Sequence, residues 1–313
     1  MEGLVDDLLR DVLTGVGAYD ACVSEFIRVS DTLLPRRAFL RLAPELAQGA
    51  RTRAGTPVIV QLLGSDPLRL AANAARAAEF APLAIDLNFG CPAPLVNRHG
   101  GGAALLADVD RIHAIVRAVR DAVPAHLPVT AKMRLGLDHP GNSVALAQAM
   151  VAGGAAELTV HARTRSDPYS TPARWEWLAR IREAVAVPVV ANGDIFSLAD
   201  WQRCQERTGC QDVMLGRGAV ADPWLARRLR GESPADGPNA LAPLLLAYWQ
   251  GVVNKVAAKH AAGRLKAWLV WLARSDPWAA ALHERIRAVR EAEAIDARLR
   301  AICSGAGASR RAD

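Results

Sequence analysis

The sequence predicts an α/β protein: a TIM-type (β/α)8 barrel whose first strand is missing from the chain, followed by a small all-α helical domain. Three observations predict it. Short β-branched runs alternate with longer Ala/Leu/Arg stretches of helical length. The runs are apolar almost throughout, as parallel strands covered on both faces must be. Polar residues collect at the C-terminal ends of nearly every run, where barrels of this kind build their active sites.

The strand candidates, in chain order, are Cys22–Val29, Pro57–Gly64, Ala84–Gly90, Pro128–Gly136, Glu157–Arg163, Val187–Ile195 and Asp212–Ala219. Most open at a Pro, Gly or Ala junction. Asp66–Phe80, Asp108–Val123 and Ser143–Ala152 have the length of βαβ crossover helices. Ser65-Asp66-Pro67 and Ser197 are N-cap signals. An open doubly wound sheet would carry a glycine-rich nucleotide turn after its first strand, and none is present. The residues at the strand ends are Glu25 and Arg28, Gln61, Asn88 and Cys91, Lys132 and Arg134, His161 and Arg163, Asn192 and Asp194, and Arg217. Seven βα units leave an eight-stranded barrel one short. The chain begins with Met1-Glu2-Gly3, where a strand-to-helix loop is expected, so the absent strand is expected to be the first. An unclosed barrel would expose two strand edges.

The barrel domain is expected to span 1–230. Gly231–Ala240 reads as a linker, rich in Gly, Pro and Ser. Residues 241–302 follow a helical pattern throughout, and 303–313 are expected to form a disordered tail. Trp268 falls in register with Leu265, Leu269 and Leu272, as does Trp271, so both tryptophans are expected in a core stripe.

Composition narrows the class. With 313 residues, 51% of them hydrophobic, the chain can bury a large core. Five cysteines are too few and too scattered for a disulfide framework, and none forms a CxxC pair, so structural zinc is not expected. No metal-ligand spacing occurs elsewhere. The N-terminus lacks the apolar segment of a signal peptide, and no apolar run reaches the ~18 residues of a membrane span. A cytoplasmic monomer is the expectation. The formal charge is +6, but it is unevenly placed: −1 over 1–225 and +7 over 226–313. A basic module on a neutral body suggests a polyanionic partner. The alternative is a solvated, Arg-rich helical surface.

The segment LNFGCPAPLVNRHGGG, Leu87–Gly102, holds the most specific signal. Gly90 lets the backbone turn at the strand end, and Pro92 stiffens the chain just beyond it, so the Cys91 thiol sits on a rigid loop at the barrel mouth. A thiol so placed can act as nucleophile or proton donor. Asn192-Gly193-Asp194 and Gly216-Arg217-Gly218 occupy the two final loops, where barrels commonly hold a phosphate. Lys132 lies within an otherwise apolar run. A lysine there serves either as a Schiff-base amine or as a cation against an electron-rich ring. Gln61 and His161 point into the same space if the register is right.

Together these residues resemble the tRNA-dihydrouridine synthases over almost the whole chain: Met1-Glu2-Gly3, Ser24-Glu25-Phe26 with Arg28, Gln61-Leu62, DLNFGCP with VNRHGGGAALL, Lys132-Met133-Arg134, His161–Thr164, Ala191–Asp194 and Gly216–Gly218. The GGG run, the SEFIRV segment and the basic RLKAWL helix look most like the bacterial branch acting on uridine 16 of the tRNA D-loop. The resemblance implies a flavoprotein that reduces a specific uridine to 5,6-dihydrouridine. Hydride would pass from FMN to C6 of the base and a proton from Cys91 to C5, with NADPH or NADH as reductant. It implies that 1–230 binds FMN and 241–302 binds tRNA. Met1, Glu2, Gln61, Lys132, His161, Asn192, Gly193, Asp194, Gly216 and Arg217 would contact FMN. Arg28, Asn88, Tyr169, Arg264 and Lys266 would contact tRNA. Asp194 stands where this branch usually has Glu. The Ala-Pro that precedes Met1 of the motif in relatives, and helps line the flavin site, is absent.

Three other readings share parts of the pattern. A flavin barrel acting on a free pyrimidine, like dihydroorotate or dihydropyrimidine dehydrogenases, has no use for a basic helical appendage. A Schiff-base aldolase built on Lys132 needs no flavin. A non-catalytic tRNA-binding relic would bind RNA and stay colourless.

Overall fold

The computed structural model describes residues 3–235 and 237–308. The chain forms two compact units, one of Tyr19–Gly216 and one of Met1–Ala18 with Arg217–Asp313.

The first unit is a parallel sheet wrapped by helices. Its strands are β1 (Cys22–Val23), β2 (Ile27–Arg28), β3 (Val58–Leu63), β4 (Ile85–Phe89), β5 (Val129–Arg134), β6 (Leu158–His161) and β7 (Val189–Asn192). Both β1 and β2 pair with β3, and the order then runs through β7 in sequence. All ladders are parallel, so each connection from β2 onward is a crossover that contains a helix. Among the described residues no strand precedes Cys22 and no ladder closes the sheet, leaving part of a barrel in place of a full ring.

β1 and β2 are two halves of the first predicted run. Val23 pairs with Ile59 and Ile27 with Leu62, so four steps on one strand oppose three on the other. That is a bulge. It turns Ser24 toward β3, where Ser24 Oγ accepts the backbone N–H of Gln61 at 3.1 Å.

The crossover helices start where the sequence signals them. Asp66 accepts from Arg69 N at 2.8 Å and opens the helix Pro67–Ala78. Asp108 does the same for Val109–Ala122, and Ser197 for Leu198–Thr208. Each cap satisfies an amide left open by the first turn. Their apolar faces and the strands form one core: Val58, Val60, Leu62, Ile85, Ile112, Ile115, Val129, Met133 and Leu158 are all fully buried.

The last predicted strand is a correction. Of Asp212–Ala219, only Val213 bridges to Ala191, with Met214 N donating to Ala191 O at 2.8 Å. Gly216 and Gly218 offer no side chain to a pleated surface, and Arg217–Ala221 coils into a helix instead.

The second unit is helical. Asp7–Val16, capped by Asp6, groups with Pro238–Lys255, Ala258–Leu272, Pro277–Ile286 and Ala292–Ala308. Lys255 pairs with Asp7, and Arg264 reaches both Asp6 and the carbonyl of Gly3. Trp249 and Trp268 are fully buried, Trp268 edge-on to Tyr248 with ring centroids 5.0 Å apart. Trp271 is only half-buried and carries Arg274 over its ring at 4.9 Å, so the expected stripe stops short of it. Two boundaries move. The helix from Pro238 begins inside the expected linker, because a proline is well placed in a first turn. The last helix runs through Ala308, past the expected start of a tail; residues 309–313 lie outside the described residues.

Candidate active site

Strand parity gathers the polar residues. The pairing register aligns Gln61, Asp86 and Thr130 in one row across β3, β4 and β5. Two residues on, Asn88, Lys132 and Thr159 form the next row. Two further on, Arg134, His161 and Asn192 form a third. Side chains two apart on a strand share a face. These residues therefore line one face of the sheet, rising toward the C-terminal ends of its strands.

Lys132 donates to Asn192 Oδ1 at 3.0 Å, and Asn192 Nδ2 donates to the carbonyl of Met214 at 2.8 Å. Burial pushes the ammonium down to about 8, aided by Arg134 and opposed by Asp86. Gln61, 6% exposed, donates through Nε2 to Asp86 and accepts at Oε1 from Asn88 Nδ2, at 2.7 and 2.8 Å. Asn88 Oδ1 accepts the backbone N–H groups of Gly90 and Cys91, both at 2.9 Å. The loop of Cys91 is thus tied to β4 by one side chain. Asn97 Nδ2 and the backbone N–H of Ala103 hold the Cys91 carbonyl from the other side, each at 3.0 Å.

A second layer of buried cations frames this loop. Arg134 bridges the carbonyls of Gly90 and Thr164, at 2.9 and 2.8 Å, and reaches the hydroxyl of Tyr169. Its pKa is pulled down by burial. Lys132 and Arg134 both lie close enough to Cys91 to interact with it electrostatically. Arg163, 1% exposed, donates to the carbonyl of Thr171 and pairs with Asp194. Tyr169 is 54% exposed. Its ring stacks on His161 with centroids 6.1 Å apart, and the guanidinium groups of Arg134 and Arg163 lie 5.7 and 5.9 Å from it. An exposed ring held flat by buried groups can stack on a planar base.

The final loops are shaped for close approach. Gly193 has φ +119°, and a Cβ there would lie 3.0 Å from His161 Cδ2. Asp194, with φ +57°, turns its carboxylate back onto Arg163 and the N–H of Ala173. That carboxylate faces protein donors, so what this position can offer a phosphate is backbone. Gly216 ends the first unit and Arg217 opens the helix Arg217–Ala221 of the second.

The remaining predicted contacts are dispersed. Arg28 is exposed on β2. Arg264 and Lys266 belong to the second unit, where Lys266 donates to the carbonyl of Val289. Met1 and Glu2 lie outside the described residues. Asp86, Thr130 and Asn97 join the site beyond the residues the sequence nominates. The signal for Asp86 was present: a carboxylate inside an apolar strand needs a partner for the same reason Lys132 does. A cavity of about 340 Å³, lined in part by Arg51, Pro57, Leu83 and His126, opens beside the N-terminal ends of β3–β5, away from these groups. Among the described residues no three His, Cys, Asp or Glu side chains cluster to hold a metal, and no helix is long and apolar enough to cross a membrane.

Comparison with known proteins bears on the family and the fold. The chain is 53% identical over 299 residues to a protein of Ralstonia nicotianae named tRNA-dihydrouridine(16) synthase, covering 94% of this chain and 92% of that one. Proteins of the same name from Aquipseudomonas alcaligenes and Pseudomonas putida are each 54% identical, over 95% and 92% of this chain and 96% and 90% of their own. Among solved structures, histamine dehydrogenase from Rhizobium sp. 4-9 superposes with a TM-score of 0.52 at 14% identity, over 78% of this chain and 46% of that one, which speaks to the fold alone. The profile of the family Dihydrouridine synthase (Dus) matches residues 1–294, and the chain is a member of that family.

Proposed function

We propose that this protein reduces uridine 16 of tRNA to 5,6-dihydrouridine, as the names of its relatives state for them. The observation that carries the reading is the Cys91 loop, pinned by Asn88 beside Lys132 and Arg134 at the strand ends. Cys91 holds the proton for C5 of the base. Asn88, Arg134 and Tyr169 orient that base, and the stiff loop limits the search for a productive geometry.

The residues fit a flavin. Lys132 forms one hydrogen bond among the described residues, so two of its N–H donors remain for an electron-rich ring. Gln61 and His161 lie on the same face, and Gly193 leaves room for a backbone approach. When bound, FMN supplies the hydride, replenished by NADPH or NADH. Gln61, Lys132, His161, Asn192, Gly193, Asp194, Gly216 and Arg217 are the residues we assign to it, with Met1 and Glu2 retained from the family resemblance. Arg28, Arg264 and Lys266 are assigned to tRNA outside the reacting base, with 1–230 as the flavin domain and 241–302 as the RNA-binding one. The protein is expected to act as a cytoplasmic monomer.

The test is reduction of unmodified tRNA by the flavin-loaded chain and NADPH, with the product mapped by mass spectrometry. Dihydrouridine at position 16 is expected, and Cys91→Ala is expected to lose it while retaining the flavin. Product at another position, equal turnover of free uracil, or full activity of Cys91→Ala would overturn the assignment in turn.

A further inference from the structure

Asp86 touches none of the groups assigned to the base, yet the polarity of the site depends on it. Backbone amides can only donate, so the two that meet Asn88 fix its oxygen toward Gly90 and Cys91. Its Nδ2 must then face Gln61, which has to answer with Oε1. Gln61 Nε2 is left pointing the other way and needs an acceptor. Asp86 Oδ2 is that acceptor at 2.7 Å, and Thr130 Oγ1 locks the other carboxyl oxygen at 2.6 Å. Asp86 is 3% exposed, so no bulk water can take over either bond.

We propose that Asp86 is a positioning residue, which orients the amide of Gln61 and, through Gln61 and Asn88, holds the loop of Cys91 in register with the base. With an apolar side chain at 86, Gln61 loses the reason to present oxygen upward. Flipped, it would set NH2 against the NH2 of Asn88, and Asn88 could no longer serve Cys91 without losing a bond. Burial raises the carboxyl of Asp86 above the usual range, against the pull of Thr130, Gln61 and Lys132. Either protonation state can accept from Gln61, so the role requires an oxygen at this point and not a charge.

The inference rests on the reading of Cys91 as the proton donor, and the experiment separates the two. Asp86→Asn and Asp86→Leu are compared with the parent in the flavin-loaded full chain. One readout is alkylation of Cys91 by iodoacetamide, resolved from the other cysteines by peptide mass spectrometry. The other is single-turnover reduction of unmodified tRNA. Asn can offer Oδ1 to Gln61 and turn Nδ2 to the Thr130 hydroxyl, so both rates should stay within about threefold of the parent, less than one neutral hydrogen bond is worth. Leu should slow the turnover by roughly tenfold to a hundredfold, the scale of a misplaced reacting group, and change the Cys91 alkylation rate several-fold. Parent-like rates in Asp86→Leu would overturn the proposal. So would an Asn variant as impaired as Leu, which would place the role in the charge. If Asp86→Leu does not fold, Gln61→Glu decides. It sets two carboxyls against each other, which must share a proton, and alkylation and turnover should gain a pH dependence absent from the parent. Profiles that overlay the parent's would overturn the proposal. If the parent makes no dihydrouridine, the assigned activity fails, while the alkylation arm still reports on Asp86.

Discussion

Gly102 and Cys91 occupy a space that admits one side chain. A Cβ on Gly102 would lie 2.8 Å from the carbonyl oxygen of Cys91, 3.1 Å from its Cβ and 2.9 Å from Val96 Cγ1, and the residue has φ +60°. Its neighbours are less constrained. Gly100 also has positive φ but open space around it, and Gly101 meets nothing closer than 3.4 Å. The three-glycine run is therefore a seat for the cysteine loop, and its last member matters most.

The prediction is an order within the run. Gly101→Ala should be close to neutral in stability and activity. Gly100→Ala should cost about 1 kcal/mol, the penalty of a left-handed alanine, with turnover kept. Gly102→Ala combines that penalty with backbone overlap and should cost on the order of 3 kcal/mol, with dihydrouridine formation lost before the fold. Denaturant melts and tRNA turnover on the three variants check it. Equal effects at Gly100 and Gly102 would remove the packing argument.

Lys132 makes stability depend on pH. Its ordinary value is near 10.5, and burial lowers it to about 8 in the folded chain. Between those values the unfolded chain binds the proton and the folded chain does not, so stability rises with pH across that window. Below about 8 the cost of the buried ammonium is present in full. Lys132→Met should therefore be more stable than the parent at neutral pH, with the gap closing between pH 8 and 10.5. Thermal midpoints of both flavin-free proteins along that range test this. A constant gap would mean that Lys132 does not titrate there.

Asp194 is expected to matter through Arg163. The guanidinium is 1% exposed, and removing its carboxylate leaves a buried cation without its direct ion-pair partner, with Asp167 as the carboxylate that still acts on it. Losses of this kind reach about 3 kcal/mol when the partner is also buried; the Asp194 side chain is 26% exposed, so water softens the loss. Asp194→Ala should lose about 2 kcal/mol. Asp194→Asn should lose less, because asparagine tolerates positive φ and still accepts from the N–H of Ala173. The two melts, with flavin content measured alongside, distinguish this from a role confined to the phosphate. An unchanged melt with lost flavin would favour the latter.

The sheet was legible because buried parallel strands leave a run of apolar residues with a polar tip, and Cys91, Lys132, His161 and Asn192 are those tips. The run Asp212–Ala219 misled because Val213, Met214 and Leu215 look like a strand, whereas Gly216 and Gly218 decide against one. Asp86 is hard to see in the sequence because its neighbours Ile85 and Leu87 make the segment read as core. Grouping of the helix Asp7–Val16 with the C-terminal helices could not be read locally. It depends on Lys255 and Arg264, some 250 residues away along the chain, meeting Asp7 and Asp6.

The same pairing complicates the assignment of Arg264 and Lys266 to tRNA, and yields the last prediction. Both are engaged within the helical unit, Arg264 with Asp6 and the Gly3 carbonyl, Lys266 with the Val289 carbonyl. They sit two apart on the helix Ala258–Leu272, whose buried stripe runs through Leu265, Trp268, Leu269 and Leu272. Each therefore flanks the stripe, where a side chain can hold a neighbouring element and still show its charge to a phosphate. The segment after Ala226 carries the +7 that a polyanion would meet. If they contact phosphate, Arg264→Ala and Lys266→Ala should each lower the slope of log affinity against log salt by about one. If they only brace the helices, the slope should stay and the melting midpoint should fall. Asp6→Asn separates the two for Arg264: it weakens the brace without removing the cation, so tRNA affinity should hold or rise while stability drops. An Arg264→Ala protein with parent salt slope and parent affinity would take Arg264 out of the RNA surface, and the charge excess would then have to act through the exposed Lys259, Arg285, Arg287 and Arg290.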